Sequence, residues 1–188
     1  MQKNNRNEYL VPKSFLCSPF FKEDGLFSNY NGIDFEEILK KEPFYFDMLH
    51  VLGEELNEKP WMNPERTIPT VIEQWTKIMT SLHKAFTNRE KGLQKEENMI
   101  HSISLFVISL YWANQKPVSS LLPAEMMISQ LPLKPANCEE RLSFIINKPS
   151  GYHSFIQLQQ LFSEFEKMFS KSLAIKRFNH SKRIPPIE

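Results

Sequence analysis

The chain has 188 residues, 41% of them hydrophobic and 24% charged, which supplies enough apolar surface to offset chain entropy and excludes an intrinsically disordered protein. At this length one core is expected and a second independent one is not. The formal charge of +1 excludes a strong global pull toward nucleic acid or anionic lipid.

Residues 1–33 mix Asn, Pro, Ser and Gly with the apolar clusters Tyr9-Leu10-Val11, Phe15-Leu16 and Phe20-Phe21. That pattern has neither helical nor strand period. It predicts an extended or partly disordered N-terminal segment, either pinned to a body by its aromatic groups or ordered on a partner. Asp34 followed by Glu37 has capping-box spacing and opens a short helix toward Lys41. Tyr45, Met48, Leu49, Leu52 and Leu56 then recur at helical steps, marking a second helix with one buried stripe. Pro60 and Pro64 bracket a loop that carries Trp61.

Thr67 reads as an N-cap with Pro69 in the first turn, and Ile72, Trp75, Met79, Leu82 and Phe86 share one face of the helix that follows. Gly92 separates this helix from the next. From Met99 to Ala113 the sequence is apolar nearly all round, with serines between. At about 15 residues it is short of a membrane span, so it predicts a central helix surrounded by others. Four prolines between 117 and 135 leave room for a short helix near 124–130. Asn137 with Glu140 gives another cap signature, opening a helix through Leu142, Ile145 and Ile146. The last helix carries Phe155, Leu158, Phe162, Phe165 and Phe169 at alternating steps of three and four. The expected fold is all-α: a single irregular bundle of about six to seven helices around the apolar helix 99–113. The helical domain spans 34–176, and residues 177–188 form a basic tail. Only five glycines against fifteen phenylalanines also speak against a sheet-and-turn protein.

Charge is unevenly placed. Glu23 to Glu58 hold ten acids and two lysines, whereas Lys167 to the end has six bases opposed by Glu188. Cys17 and Cys138 stand far apart without a CxxC pair, which suggests free thiols in the cytosol rather than a zinc site or disulfide framework. The N-terminus lacks the sustained apolar stretch of a secretory signal.

Nucleotide-binding and hydrolase motifs are absent. No Glu-x-x-His occurs, so a di-metal bundle is not indicated, and a single metal on His50, His83 and His101 is weighed against ordinary packed histidines. No cofactor or metal is expected. Cys138 precedes two glutamates, which would raise a thiol pKa rather than activate it. The most distinctive polar set is Lys134, Asn137, Glu140, Arg141, His153 and Gln157, with His153, Gln157, Gln160 and Glu164 forming a polar line on the face of the last helix. If converged, these residues would make a charged cleft for an anionic or amide group. Phe20, Phe21 and Trp61 read as exposed loop aromatics suited to a protein partner. Lys176, Arg177, Lys182 and Arg183 would grip phosphates, or complement a helix C-terminus.

The strings LPLKPANCEERLSFIINKPSGYHSFIQLQQLFSEFEK, VPKSFLCSPFF and KPWMNPERTIPTVIEQW resemble the YpoC-like family of uncharacterised Gram-positive bacterial proteins, from about Val11 to Lys176. The resemblance implies a small, mostly helical cytosolic protein and brings no catalytic residues. The favoured expectation is a non-catalytic accessory protein that binds a protein partner. The alternatives are a small-ligand or metal-dependent enzyme using the cleft around Lys134, Glu140, Arg141 and His153, and a nucleic-acid accessory protein acting through the basic tail.

Overall fold

The computed structural model describes residues 7–22, 25–90 and 92–181, with side chains through Asn179. Two short strands, β1 (Glu8–Leu10) and β2 (Leu26–Ser28), pair antiparallel with Tyr9 opposite Phe27. Strand side chains alternate between faces, so these two middle residues point inward and stack at 5.4 Å. Leu10 and Leu26, paired across the outer face, are exposed. The expected extended N-terminal segment therefore contains a small sheet inside an otherwise helical fold.

Helix α1 (Phe35–Lys41) begins as its sequence predicts, with the Asp34 carboxylate accepting from the Glu37 amide at 3.1 Å. Asp34→Ala removes an acceptor from an orphan N–H and is expected to cost about 1 kcal/mol of unfolding free energy in a urea titration. Helix α2 (Tyr45–Val51) is shorter than its apolar stripe suggested. Gly53 follows at φ 73°, a left-handed conformation that ends the helix before Leu56 can join it.

Helix α3 (Pro64–Thr87) starts four residues earlier than expected, with Asn63 rather than Thr67 in the N-cap position. Pro64 occupies its first turn, where a missing N–H costs nothing, and Pro69 lies inside the helix. Thr67 is therefore no N-cap; its hydroxyl donates back to the Pro60 and Asn63 carbonyls. Helix α4 (Leu93–Ala113) contains the apolar stretch, and each residue from Ser102 to Trp112 is buried. Its serines are tolerated because each hydroxyl donates to the carbonyl four residues back, at 2.6 Å from Ser102, 3.0 Å from Ser104 and 2.7 Å from Ser109.

Beyond α4, the region expected to hold a short helix near 124–130 forms only a 3-10 turn at Ile128–Gln130. Helix α5 (Cys138–Asn147) is not capped by Asn137, which sits at φ 50° and makes no side-chain cap bond. Asparagine tolerates that left-handed geometry better than most residues. Helix α6 (Tyr152–Ser181) runs through the boundary expected at residue 177. Helix α4 packs against α3, α5 and α6, and aromatic rings tie three of these together. Trp75 of α3 stacks on Phe162 of α6 at 4.4 Å and 7°, while Phe106 of α4 meets Phe162 edge-on at 5.0 Å. The N-terminal segment joins the same core through Tyr9, Val11, Phe15 and Phe27.

Candidate functional site

Part of the polar set on α5 and α6 converges. The Arg141 guanidinium donates to both Glu164 carboxylate oxygens at 3.1 and 2.9 Å and to Gln157 Oε1 at 3.0 Å, and it lies 3.4 Å from the Ala136 carbonyl. Gln157 and Glu164 are two turns apart on α6, so one arginine on α5 can reach both. The other members stay outside this network. Lys134 donates to the Leu131 carbonyl at 2.8 Å, while Asn137, Glu140 and His153 are exposed. Cys138 is buried beside this cluster, and burial pushes its thiol up to about 12, which keeps it protonated and unreactive.

The loop aromatics expected at a partner surface cover the core instead. Trp61 is 4% exposed, with its ring 5.1 Å from His50. Phe20 and Phe21 are half-buried against Phe44. Of the basic residues, Lys176 donates to Glu65 at 2.9 Å and Arg177 is exposed on α6; Lys182 and Arg183 lie outside the described residues. The three histidines weighed as metal ligands are engaged separately. His50 faces Trp61, His83 lies 6.5 Å from the Phe155 ring, and burial holds His101 down at about 4, hence neutral. Among the described residues no three His, Cys, Asp or Glu side chains form a metal-ligating group.

Asp47 on α2 is fully buried. Its Oδ1 accepts from Trp112 Nε1 at 3.1 Å and from the Val118 amide at 2.7 Å, and its Oδ2 has no partner. Burial raises its pKa to about 7. The carboxyl joins α2 to the end of α4 and to the chain leaving it, which makes it a structural polar link.

A concavity lies elsewhere, where the β1–β2 sheet, α1, α2 and the loop after α2 meet. This cleft encloses about 710 Å³, within the range of small-molecule and peptide pockets. Five aromatic residues line it: Tyr9, Tyr30, Phe35, Tyr45 and Phe46. Tyr45 is fixed by its hydroxyl, which donates to Asn29 Oδ1 at 3.2 Å and accepts from the Tyr30 amide at 3.1 Å. Tyr30 and Phe35 are half-buried, the Tyr30 ring 5.2 Å from Tyr45 and the Phe35 ring 5.6 Å from Phe46. Glu54, Glu55 and Glu58 supply the acidic rim, and among the described residues no Lys, Arg or His lines the cleft. The sequence carried one signal for this site, the acid-rich run from Glu23 to Glu58 interleaved with aromatic residues.

A protein-family model described as YpoC-like protein matches residues 65–177, more than half of the chain. The chain belongs to the YpoC-like family. It is 36% identical over 144 residues to the Uncharacterized protein YpoC of Bacillus subtilis (strain 168), an alignment covering 77% of this chain and 85% of that protein. No solved structure gives a significant match. The YpoC-like match spans α3 to α6 and includes Arg141, Gln157 and Glu164. The cleft is built by residues 9–58 and precedes the YpoC-like region.

Proposed function

We propose that this chain is a non-catalytic binding protein and that the aromatic cleft with its acidic rim is the surface that receives its protein partner. The cleft itself carries the reading, because a large concavity with an aromatic lining, two of whose rings are half-buried, and acidic side chains beside them is suited to recognition. Among the described residues it brings together no nucleophile with a base and no ligand set for a metal. Elsewhere the reactive side chains serve the fold: Arg141 is bound by Glu164 and Gln157, and Cys138 is held as a thiol. The same reading places the protein in the cytosol, where its two free cysteines stay reduced.

Site-specific photocrosslinking in cells tests it. A benzoylphenylalanine at Asn31 or Asn57, both exposed at the cleft, is expected to give one discrete adduct identified by mass spectrometry as the same protein from both positions. The same group at Glu140 on α5 should not. Adducts from Glu140 alone, or none from the cleft, would remove the basis of the proposal.

A further inference from the structure

We infer that the cleft recognises an arginine-bearing extended segment of the partner, with the guanidinium laid against the Tyr30 and Phe35 rings and counter-charged by Glu54 and Glu55. This rests on the reading of the cleft as the partner surface and adds the chemistry of what enters it.

Three observations lead there. The first is the unequal treatment of acids across this part of the fold. Glu36 and Glu37 pair with Lys40, Glu58 with Arg66, Glu65 with Lys176 and Glu73 with Lys77. Glu54 and Glu55, side by side on the rim, have no hydrogen-bonding or ionic partner for their carboxylates among the described residues. Their charge is left for something outside the chain.

The second is the aromatic wall beneath them. A cation is attracted to the face of an aromatic ring within about 6 Å of its centroid. Tyr30 already shows this, with the Lys41 ammonium 5.6 Å from its ring centre. Lys41 itself is not among the residues that line the cleft. The third is shape. A volume of about 710 Å³ exceeds what one side chain needs, and the side chains of Asn31 and Asn57 at the opening can bond the peptide groups of a chain passing across it.

Charge complementarity thus selects a cationic occupant and disfavours nucleic acid, whose phosphates would meet the two uncompensated carboxylates of Glu54 and Glu55. Between the two cationic side chains, arginine fits better. Its planar guanidinium stacks on an aromatic face while its edge donates two parallel bonds to carboxylates, which a lysine ammonium cannot do.

The test uses the full chain and the peptide acetyl-Gly-Ser-Arg-Gly-Ser-Arg-Gly-Ser-amide, with a second peptide carrying citrulline in place of each arginine. Citrulline keeps the shape and removes the charge. In amide NMR titrations up to about 1 mM peptide, shifts are expected at Tyr30, Asn31 and residues 54–58 with the arginine peptide. Binding should weaken about tenfold or more with citrulline. The double substitution Glu54→Gln and Glu55→Gln should weaken it about tenfold and flatten its salt dependence, whereas Glu139→Gln with Glu140→Gln on α5, an equal charge change elsewhere, should not. Both variants lie on exposed or half-exposed positions, and their unchanged amide spectra outside the cleft will show that they fold.

Equal binding of the citrulline peptide, no binding of the arginine peptide, or indifference to Glu54 and Glu55 overturns the inference. So does argininamide alone binding as tightly as the peptide, since that would make the cleft a small-cation site. If cleft crosslinking still captures one defined partner while the arginine peptide fails, the partner surface stands and only its cationic chemistry falls.

Discussion

Replacing Asp47 by asparagine is expected to stabilise the protein at pH 8 relative to its effect at pH 4.5, shifting the stability difference between variant and parent by about 3 kcal/mol across that range. Asp47 is fully buried, its Oδ1 takes two hydrogen bonds, and its Oδ2 takes none. Desolvation of the charged form outweighs those two bonds and lifts the pKa from the ordinary 3.8 to about 7. The folded chain therefore holds this proton more tightly than the unfolded chain. Stability from the protonated carboxyl is complete below about pH 4 and is lost as pH rises through 7. Asparagine keeps an acceptor for Trp112 Nε1 and the Val118 amide and never acquires charge, so its contribution stays level. Asp47→Ala separates the two roles. It also avoids the charge but strands both donors, and should cost about 2–4 kcal/mol at pH 4.5. Urea titrations of the three proteins at both pH values measure these differences. A pH-independent difference between Asp47→Asn and the parent would mean that the carboxylate is solvated in the folded state.

Asp47 also shows where the sequence stops being readable. By spacing alone it shares a helix face with His50, three residues on. The structure turns the carboxyl inward to Trp112, 65 positions away, a partner no local pattern announces. The long helices were legible for the opposite reason. Phe155, Leu158, Phe162, Phe165 and Phe169 repeat with the period of the helix that buries them, and all five are in the core. Helix starts were less so. Pro64 and the Thr67–Pro69 pair are both acceptable entry signals, and packing of the whole segment chose the earlier one.

The sheet was invisible because its strands are three residues long and lie far apart in sequence, with no tight turn joining them. The polar set was partly legible. Gln157 and Glu164 lie on the predicted face of α6 and meet Arg141, while His153 falls in the first turn and remains in solvent. The cleft could be sensed only as composition. Its walls come from segments around residues 9, 30–38, 45–49 and 54–58, and concavity arises from how those segments are placed.

Phe106→Ala should destabilise the fold by about 3–5 kcal/mol, a loss typical of a large aromatic side chain removed from a close-packed interior. Phe106 is wholly buried on α4 and touches Phe162 and Phe165 at 5.0 and 6.2 Å. Phe162 in turn stacks on Trp75, so one ring supports the junction of α3, α4 and α6. Those neighbours belong to helices fixed along much of their length, and collapse into the space left behind will be incomplete. Phe144, 45% exposed on α5, provides the contrast: its truncation should cost below about 1 kcal/mol because little of its surface leaves water on folding. A double-mutant cycle between Phe106 and Phe162 should then show a coupling of about 0.5–1.5 kcal/mol beyond the separate losses, the contribution of the edge-to-face pair. Equal costs at Phe106 and Phe144 would deny α4 its place at the centre. Additive costs at Phe106 and Phe162 would leave α4 central but make the two rings independent fillers of the core.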